Sequence, residues 1–160
     1  MSEAELPPIR KVLVVALAVD AAFAAFTRDI ARWWPLRTQS LTLEAATGCV
    51  LEPEEGGRLY ETSDAAPPRI WGSVVTWSPP DLLTLSWGPG DLEDAPTLVE
   101  VRFGALGSQR SRVELNHGGW RSAQLERCIE HQQGWDAVLV KGYQAYVQKL
   151  AAGGVSAATA

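Results

Sequence analysis

The stretch from Ser122 to Leu150 constrains this chain more than any other. At helical spacing it presents Leu125, Cys128, Gln132, Trp135, Leu139, Gly142, Tyr146 and Leu150. Steps of three and four put these residues on one stripe of an α-helix. A single straight helix here would be about 43 Å long, more than a domain of this size readily covers. Gly134 is the natural break or start, because glycine costs a helix roughly 1 kcal/mol against alanine. The core of the element is then Gln133–Leu150. Such a stripe needs a large apolar partner. No second long helix is on offer, but several alternating strands precede it. The expectation is a curved antiparallel sheet with the C-terminal helix across its mouth.

A chain of 160 residues fits one domain with a real core. The single domain is expected over residues 9–150, with 1–8 and 151–160 as disordered tails. A net charge of -5 with no basic stripe argues against a nucleic-acid partner. Cys49 and Cys128, the two cysteines, do not suggest a disulfide framework. The Val12–Val19 apolar run is too short to span a bilayer, and the first charges are acidic. No membrane insertion and a cytoplasmic location are the default. Seven tryptophans are many for this length; they either fill a core or line a cavity.

In chain order, Ile9–Val19 is apolar and β-branched, and reads as a strand buried on both faces. Asp20 is a good helix N-cap. Phe23, Phe26, Ile30 and Trp33 repeat at helical spacing until Pro35 stops the helix, with a break near Thr27–Asp29 allowed. Ser40–Thr47 reads as a connector or a short edge strand. Strands are expected at Cys49–Pro53, Arg58–Thr62, Ile70–Trp77, Leu82–Trp87, Thr97–Phe103 and Arg110–His117. Glycines at Gly56-Gly57 supply positive φ in the first turn, and Gly72 marks a close approach. Gly88–Pro96 is a surface loop. Strands this close, without helices between them, pair antiparallel; six or seven are expected.

The joints between these elements are familiar. They include Asp20-Ala21-Ala22-Phe23-Ala24-Ala25-Phe26-Thr27, Trp33-Trp34-Pro35, Glu52-Pro53 with Gly56-Gly57-Arg58, and Gly72-Ser73-Val74 before Trp77-Ser78-Pro79-Pro80. Leu83-Thr84-Leu85-Ser86-Trp87, His117-Gly118-Gly119-Trp120 and Gly134-Trp135 complete the set. From about Arg10 to Leu150 the chain resembles the START-like (SRPBCC) superfamily, and within it bacterial relatives of the Aha-type activators of the heat-shock chaperone ATPase. The resemblance implies an α+β helix-grip (START/Bet v-like) fold: a curved antiparallel sheet of six or seven strands around a long C-terminal helix. One or two short helices follow the first strand, and a cavity lies between sheet and helix. It implies no cofactor. Family members bind lipids, polyketides and other apolar molecules, and a few catalyse cyclisation. One departure is Ser108-Gln109-Arg110-Ser111, where the family usually carries Gly-Thr. The eukaryotic activators also carry a separate N-terminal domain, so direct control of the chaperone ATPase is not expected.

The candidate cavity residues are Trp33, Tyr60, Trp71, Trp87, His117, Trp120, Trp135 and Leu139. His117 shares a strand face with Ser111, Val113 and Leu115, which marks the inner face and puts it near the mouth of the cavity. There it could donate to a ligand carbonyl or act as an acid–base. The plainer alternative is that it bonds a backbone carbonyl and shapes the Gly118-Gly119 turn. Trp87 points inward with Leu83 and Leu85. For Trp71, Ser73, Val75 and Trp77 against Ile70, Gly72, Val74 and Thr76, alternation alone does not choose the inner face. Cys128 and His131 are half a metal site at most, so no metal is expected. Glu100, Arg102, Arg112 and Glu114 form a solvated face that could pair across strands.

Three functions compete. The first is a binding protein for a small apolar or aromatic molecule. Its signature is a dry cavity of a few hundred Å3 or more; if the interior is packed solid, with the Trp side chains filling it, the reading fails in that form. The second is a protein-interaction module with a chaperone partner and a role in stress response. The third is a cyclase- or hydrolase-type enzyme using His117, with Tyr60 as the second polar group. No catalytic residue is assigned on the first two readings, and a homodimer is left open.

Overall fold

The computed structural model describes residues 5–35, 46–64, 67–88 and 96–159, with side chains described as far as residue 152. In chain order the elements are β1 (Ile9–Val15), α1 (Val19–Thr27), α2 (Ile30–Trp33), β2 (Ala46–Leu51), β3 (Arg58–Ser63), β4 (Arg69–Ser78), β5 (Leu82–Trp87), β6 (Thr97–Gly107) and β7 (Arg110–Gly118). A 3-10 turn (Ser122–Gln124), α3 (Leu125–Asp136), a π-helical segment (Ala137–Gln144) and α4 (Ala145–Thr159) follow without a gap between them. All seven strands form one antiparallel sheet in the order β1-β7-β6-β5-β4-β3-β2. α1 packs on β6 and β7, α2 on β2 and the π-helical segment, and α3 on β1. This is the expected α+β helix-grip architecture.

Local chemistry explains most boundaries. β5 alternates cleanly and occupies the predicted span Leu82–Trp87. β6 runs on to Gly107, beyond Phe103, so the last hairpin turns at Ser108-Gln109 rather than over the whole expected stretch Gly104–Ser108. β2 begins at Ala46 and ends at Leu51, earlier than expected. The Ser40–Thr47 reading falls mostly on residues 40–45, outside the described residues. Pairing extends upstream of the expected boundary at Ile9: Glu5 bridges to Arg121, and the Leu6 N–H donates to the Trp120 carbonyl (2.8 Å). α4 likewise runs to Thr159, past Leu150.

Several expectations are corrected. β1 ends at Val15, and its outer face is open, with Val12 and Val14 more than 40% exposed. It lies at the edge of the described sheet beside β7, and its alternating burial leaves one face open to solvent. Asp20 is not the N-cap. Ala18 holds that position, and Asp20 sits in the first turn, where its charge suits the helix dipole without a capping bond. Of the two turn glycines, Gly56 has positive φ (84°). Gly57 is required for space, since a Cβ there would lie 2.7 Å from the Glu52 carbonyl oxygen. Gly72 is a close approach as expected, because a Cβ would run into the Ser86 carbonyl. The outer charges pair along strands, Arg102 with Glu100 (2.6 Å) and Arg112 with Glu114 (2.7 Å), while Arg10 of β1 also reaches Glu114 (2.9 Å). Hydrogen bonds from Arg10, Asn116 and Arg112 hold the Glu114 carboxyl down at about 2.

The C-terminal helix does not break at Gly134. Backbone angles stay helical through Asp136 and Ala137, and the ladder widens to i→i+5 over the next eight residues. That change rotates the buried stripe beyond Ala137, while the part before it follows Cys128 and Trp135 at ordinary helical spacing. Cys128, Trp135, Val138, Leu139, Gly142, Tyr143 and Val147 face the core, while Leu125 and Gln132 are exposed. A count at 3.6 residues per turn carries the stripe to Tyr146, whereas the wider turns bring Val147 inward. Tyr146 is half-buried instead, its hydroxyl donating to Asp29 Oδ2 (2.9 Å).

Gly142 fixes the helix against α2, because a Cβ there would lie 2.7 Å from the Trp33 carbonyl oxygen. The neighbouring Tyr143 hydroxyl donates to the Ala22 carbonyl (2.8 Å), and Trp33 Nε1 donates to the Ala25 carbonyl (2.9 Å). Gly142→Ala should therefore push the helix off Trp33 and destabilise the fold by about 2 kcal/mol, read as a lower urea midpoint with unchanged slope. An unchanged midpoint would mean that the contact is not tight.

Candidate functional site

On β7 the alternate residues Ser111, Val113, Leu115 and His117 are all buried, which sets the His117 ring inward as expected. Gly119, with φ of 84°, turns the chain so that Trp120 folds back over the imidazole, the ring centroids 4.5 Å apart. From the helix, Trp135 Nε1 donates to His117 Nδ1 (2.9 Å). On the other side, His117 Nε2 lies 2.5 Å from Thr97 Oγ1, and that hydroxyl donates to the Trp87 carbonyl (3.3 Å). An indole N–H can only donate, so Nδ1 must be a bare acceptor. The network therefore assigns the proton to Nε2, which donates to Thr97. His117 is fully buried, not at an open mouth. Burial, aided by the neighbouring His131, lowers its pKa to about 2. A second proton would point at the Trp135 N–H. A ring this tightly engaged positions its neighbours and is a poor proton shuttle near neutrality.

Two more indoles are tied in the same way. Trp87 Nε1 donates to His131 Nε2 (3.1 Å), and His131 Nδ1 lies 2.7 Å from the Arg127 carbonyl oxygen. His131 is thus engaged by Trp87. Among the described residues no group of three or more metal-ligand side chains comes together. Trp71 Nε1 donates to Glu61 Oε1 (2.9 Å), and Glu61 is fully buried. With their N–H groups fixed, the rings meet at a tilt: Trp87 with Trp135 at 5.1 Å and 46°, and Trp71 with Trp87 at 5.4 Å and 47°. Trp34 lies against all three, 5.5 Å from Trp71 and 6.4 Å from each of Trp87 and Trp135.

The expected cavity of a few hundred Å3 is not found among the described residues. The space between sheet and helix is about 10 Å3, enclosed by Phe26, Trp34, Leu59, Leu85, Trp87, Trp135 and their aliphatic neighbours. That holds about one water molecule at most, so the interior is packed and a binding reading that needs a preformed cavity fails here. Of the predicted residues, Trp87 and Trp135 bound this space. Trp33, Trp71, His117 and Trp120 belong to the surrounding aromatic cluster, and Leu139 is buried on the helix. Tyr60 is corrected. β3 turns Leu59 and Glu61 inward, so Tyr60 faces out, in a shallow groove with Glu52, Arg58, Pro68 and Ile70.

Trp34, Glu61 and His131 were missed. Trp34 reads like its neighbour Trp33, and His131 finds a partner 44 residues away. The signal for Glu61 was alternation itself, since it lies two residues beyond Leu59. β4 could not be assigned a face because it carries two extra residues. Trp71 bulges against β3 and Val75 against β5, and each bulge flips the alternation. Trp71 and Val74 are buried as a result, and Val75 is exposed.

Comparison with known proteins bears on this arrangement. An anthrahydroquino-gamma-pyrone synthase, Txn09, is 35% identical, covers 72% of this chain and 78% of its own, and gives a TM-score of 0.54. The chain belongs to the START-like (SRPBCC) superfamily. Two further START-like neighbours show the fold alone. The self-sacrificing resistance protein CalC from Micromonospora echinospora is 23% identical over 89% of this chain and 95% of its own, with a TM-score of 0.68. An HSP90 activator from Plasmodium falciparum is 15% identical over 91% and 94%, with a TM-score of 0.60. No protein-family model and no curated protein matches the chain. No described helix of this START-like chain is long and apolar enough to cross a membrane.

The His117 network has a measurable consequence. Below pH 6.5 the unfolded chain takes up a proton that the folded chain refuses until about pH 2. Stability should therefore be lost as pH falls through 6.5, by up to about 1.4 kcal/mol per pH unit from this residue. Urea titrations at about pH 6 and pH 5, above the window of Glu114, read this slope. His117→Gln should flatten it by about one proton. An equal slope in both proteins would show that His117 titrates normally in the fold.

Proposed function

We propose that this chain binds a flat, polycyclic aromatic molecule of the polyketide class between the sheet and the C-terminal helix. The observation that carries the reading is the identity of the wall. Two indoles with fixed N–H groups, Trp87 and Trp135, bound a dry space together with Trp34, and Trp71 packs behind Trp34 and Trp87. Trp34 is not on the sheet or the long helix. It is the C-cap residue just after the four-residue helix α2, held in extended geometry before Pro35 (φ -59°, ψ 125°). Swinging this ring out costs less than separating β5 from the helix, and it opens a slot walled by aromatic faces. Kinship with a synthase of an aromatic pyrone supports the ligand class. The binding is apolar and shape-driven, and it needs no ionised His117.

The test is quenching of intrinsic tryptophan fluorescence by anthraquinone. Wild-type protein should show saturable one-to-one quenching with a Kd on the order of ten micromolar. Trp34→Ala should lose about 3 kcal/mol of stability as a cavity mutation and bind about tenfold more tightly, because the slot is already open. No saturable quenching in either protein would overturn the reading.

A further inference from the structure

Trp33, Trp71, Trp87, Trp120 and Trp135 all donate their ring N–H groups inside the fold. Trp77 does not. Its ring is half-buried, and among the described residues its N–H has no acceptor. The bulge at Val75 returns Trp77 to the inner face, in register with Leu83. There it meets α1 edge to face, its ring centroid 5.2 Å from that of Phe23. Beyond this pair the surface dips into a groove of about 390 Å3, open to solvent, between α1 and the turn after β4. Phe23, Ala24, Pro79 and Pro80 give the groove apolar walls. It shares no lining residue with the space between sheet and helix.

Two charged residues stand at this groove, and they are not equivalent. Arg28 is held against Asp29 by two hydrogen bonds (3.0 and 3.4 Å). Asp20 is exposed, and among the described residues its carboxylate has no cationic partner. The Thr27 hydroxyl is spent on the Phe23 carbonyl (2.8 Å). The groove therefore offers a guest an indole N–H beside an apolar surface, and one unmatched negative charge. A trough that covers one side of its guest suits an extended segment better than a small molecule, whose sites enclose most of its surface. A polyproline-type segment fits this lining. Its rings pack on Trp77 and the two prolines, and its carbonyls point outward, where one takes the indole N–H. It also carries few N–H groups that would be buried without an acceptor. We propose that the groove between α1 and the turn after β4 docks a proline-rich segment of a partner protein, with a lysine or arginine of that segment against Asp20. The net charge of -5 favours a basic partner as well.

The test is fluorescence anisotropy of the labelled peptide Arg-Ala-Leu-Pro-Pro-Leu-Pro on the full chain. Wild-type protein should bind it saturably, with a Kd on the order of 50 micromolar. Trp77→Phe keeps a ring against Phe23 and removes the N–H, and should weaken binding about fivefold. Asp20→Asn should weaken it by about as much at low salt and remove most of its salt dependence. A peptide with alanine for each proline should not bind. No saturable binding by the wild type, an affinity unchanged in either variant, or equal binding of the alanine peptide would overturn the proposal. Saturable binding of phenethylamine without binding of the peptide would put a small amine in the groove and overturn it too. Asp20 is exposed, so Asp20→Asn decides if Trp77→Phe does not fold.

Discussion

The His117 imidazole joins three parts of the chain that are distant in sequence. Its Nδ1 takes the Trp135 N–H from the long helix, its Nε2 meets Thr97 at the start of β6, and its own carbonyl takes the Trp120 N–H. Thr97 passes the connection to the Trp87 carbonyl on β5. Every polar atom in this junction is satisfied when the ring is neutral, and none of it faces solvent. The junction therefore sets the depth and rotation of the helix against the sheet. Gly142 against the Trp33 carbonyl sets its distance from α2. Between these two contacts the ladder is π-helical, and the widened turn brings both ends of the helix into register with the core.

Hydrogen bonds from the indole N–H groups explain why the aromatic interior is closed. Trp71, Trp87 and Trp135 each spend their N–H on an internal acceptor, so their positions are fixed by hydrogen bonds as well as packing. Trp34 closes the set from the C-cap of a short helix at the edge. Trp87 and Trp135 bound the small space between sheet and helix with Trp34, and Trp71 packs behind them.

Much of the fold was legible because the strands follow simple chemistry. Leu83, Leu85 and Trp87 alternate without interruption between two turns, and β7 announces its inner face through Val113 and Leu115. Legibility ends where the backbone leaves its standard period. The bulges at Trp71 and Val75 defeat a two-residue count, and the π-helical turns defeat a 3.6-residue count, which puts Tyr146 rather than Val147 on the buried stripe. The site was less legible than the fold for a different reason. Tyr60 and Glu61 are adjacent, and composition favours the aromatic residue for an interior position. Alternation from Leu59 puts the acid inside instead. Pairings such as Trp87 with His131 join residues far apart in sequence and carry no local mark.

The account turns on a neutral, hydrogen-bonded His117 at the centre of the interior. Nitrogen NMR of the histidine side chains across about pH 4 to pH 8 measures that state directly. The account predicts one imidazole with a protonated Nε2 and a bare Nδ1, unchanged over the whole range. A His117 signal that titrates with a midpoint near 6.5 would contradict it, because the ring would then have to be open to water and free of Trp135.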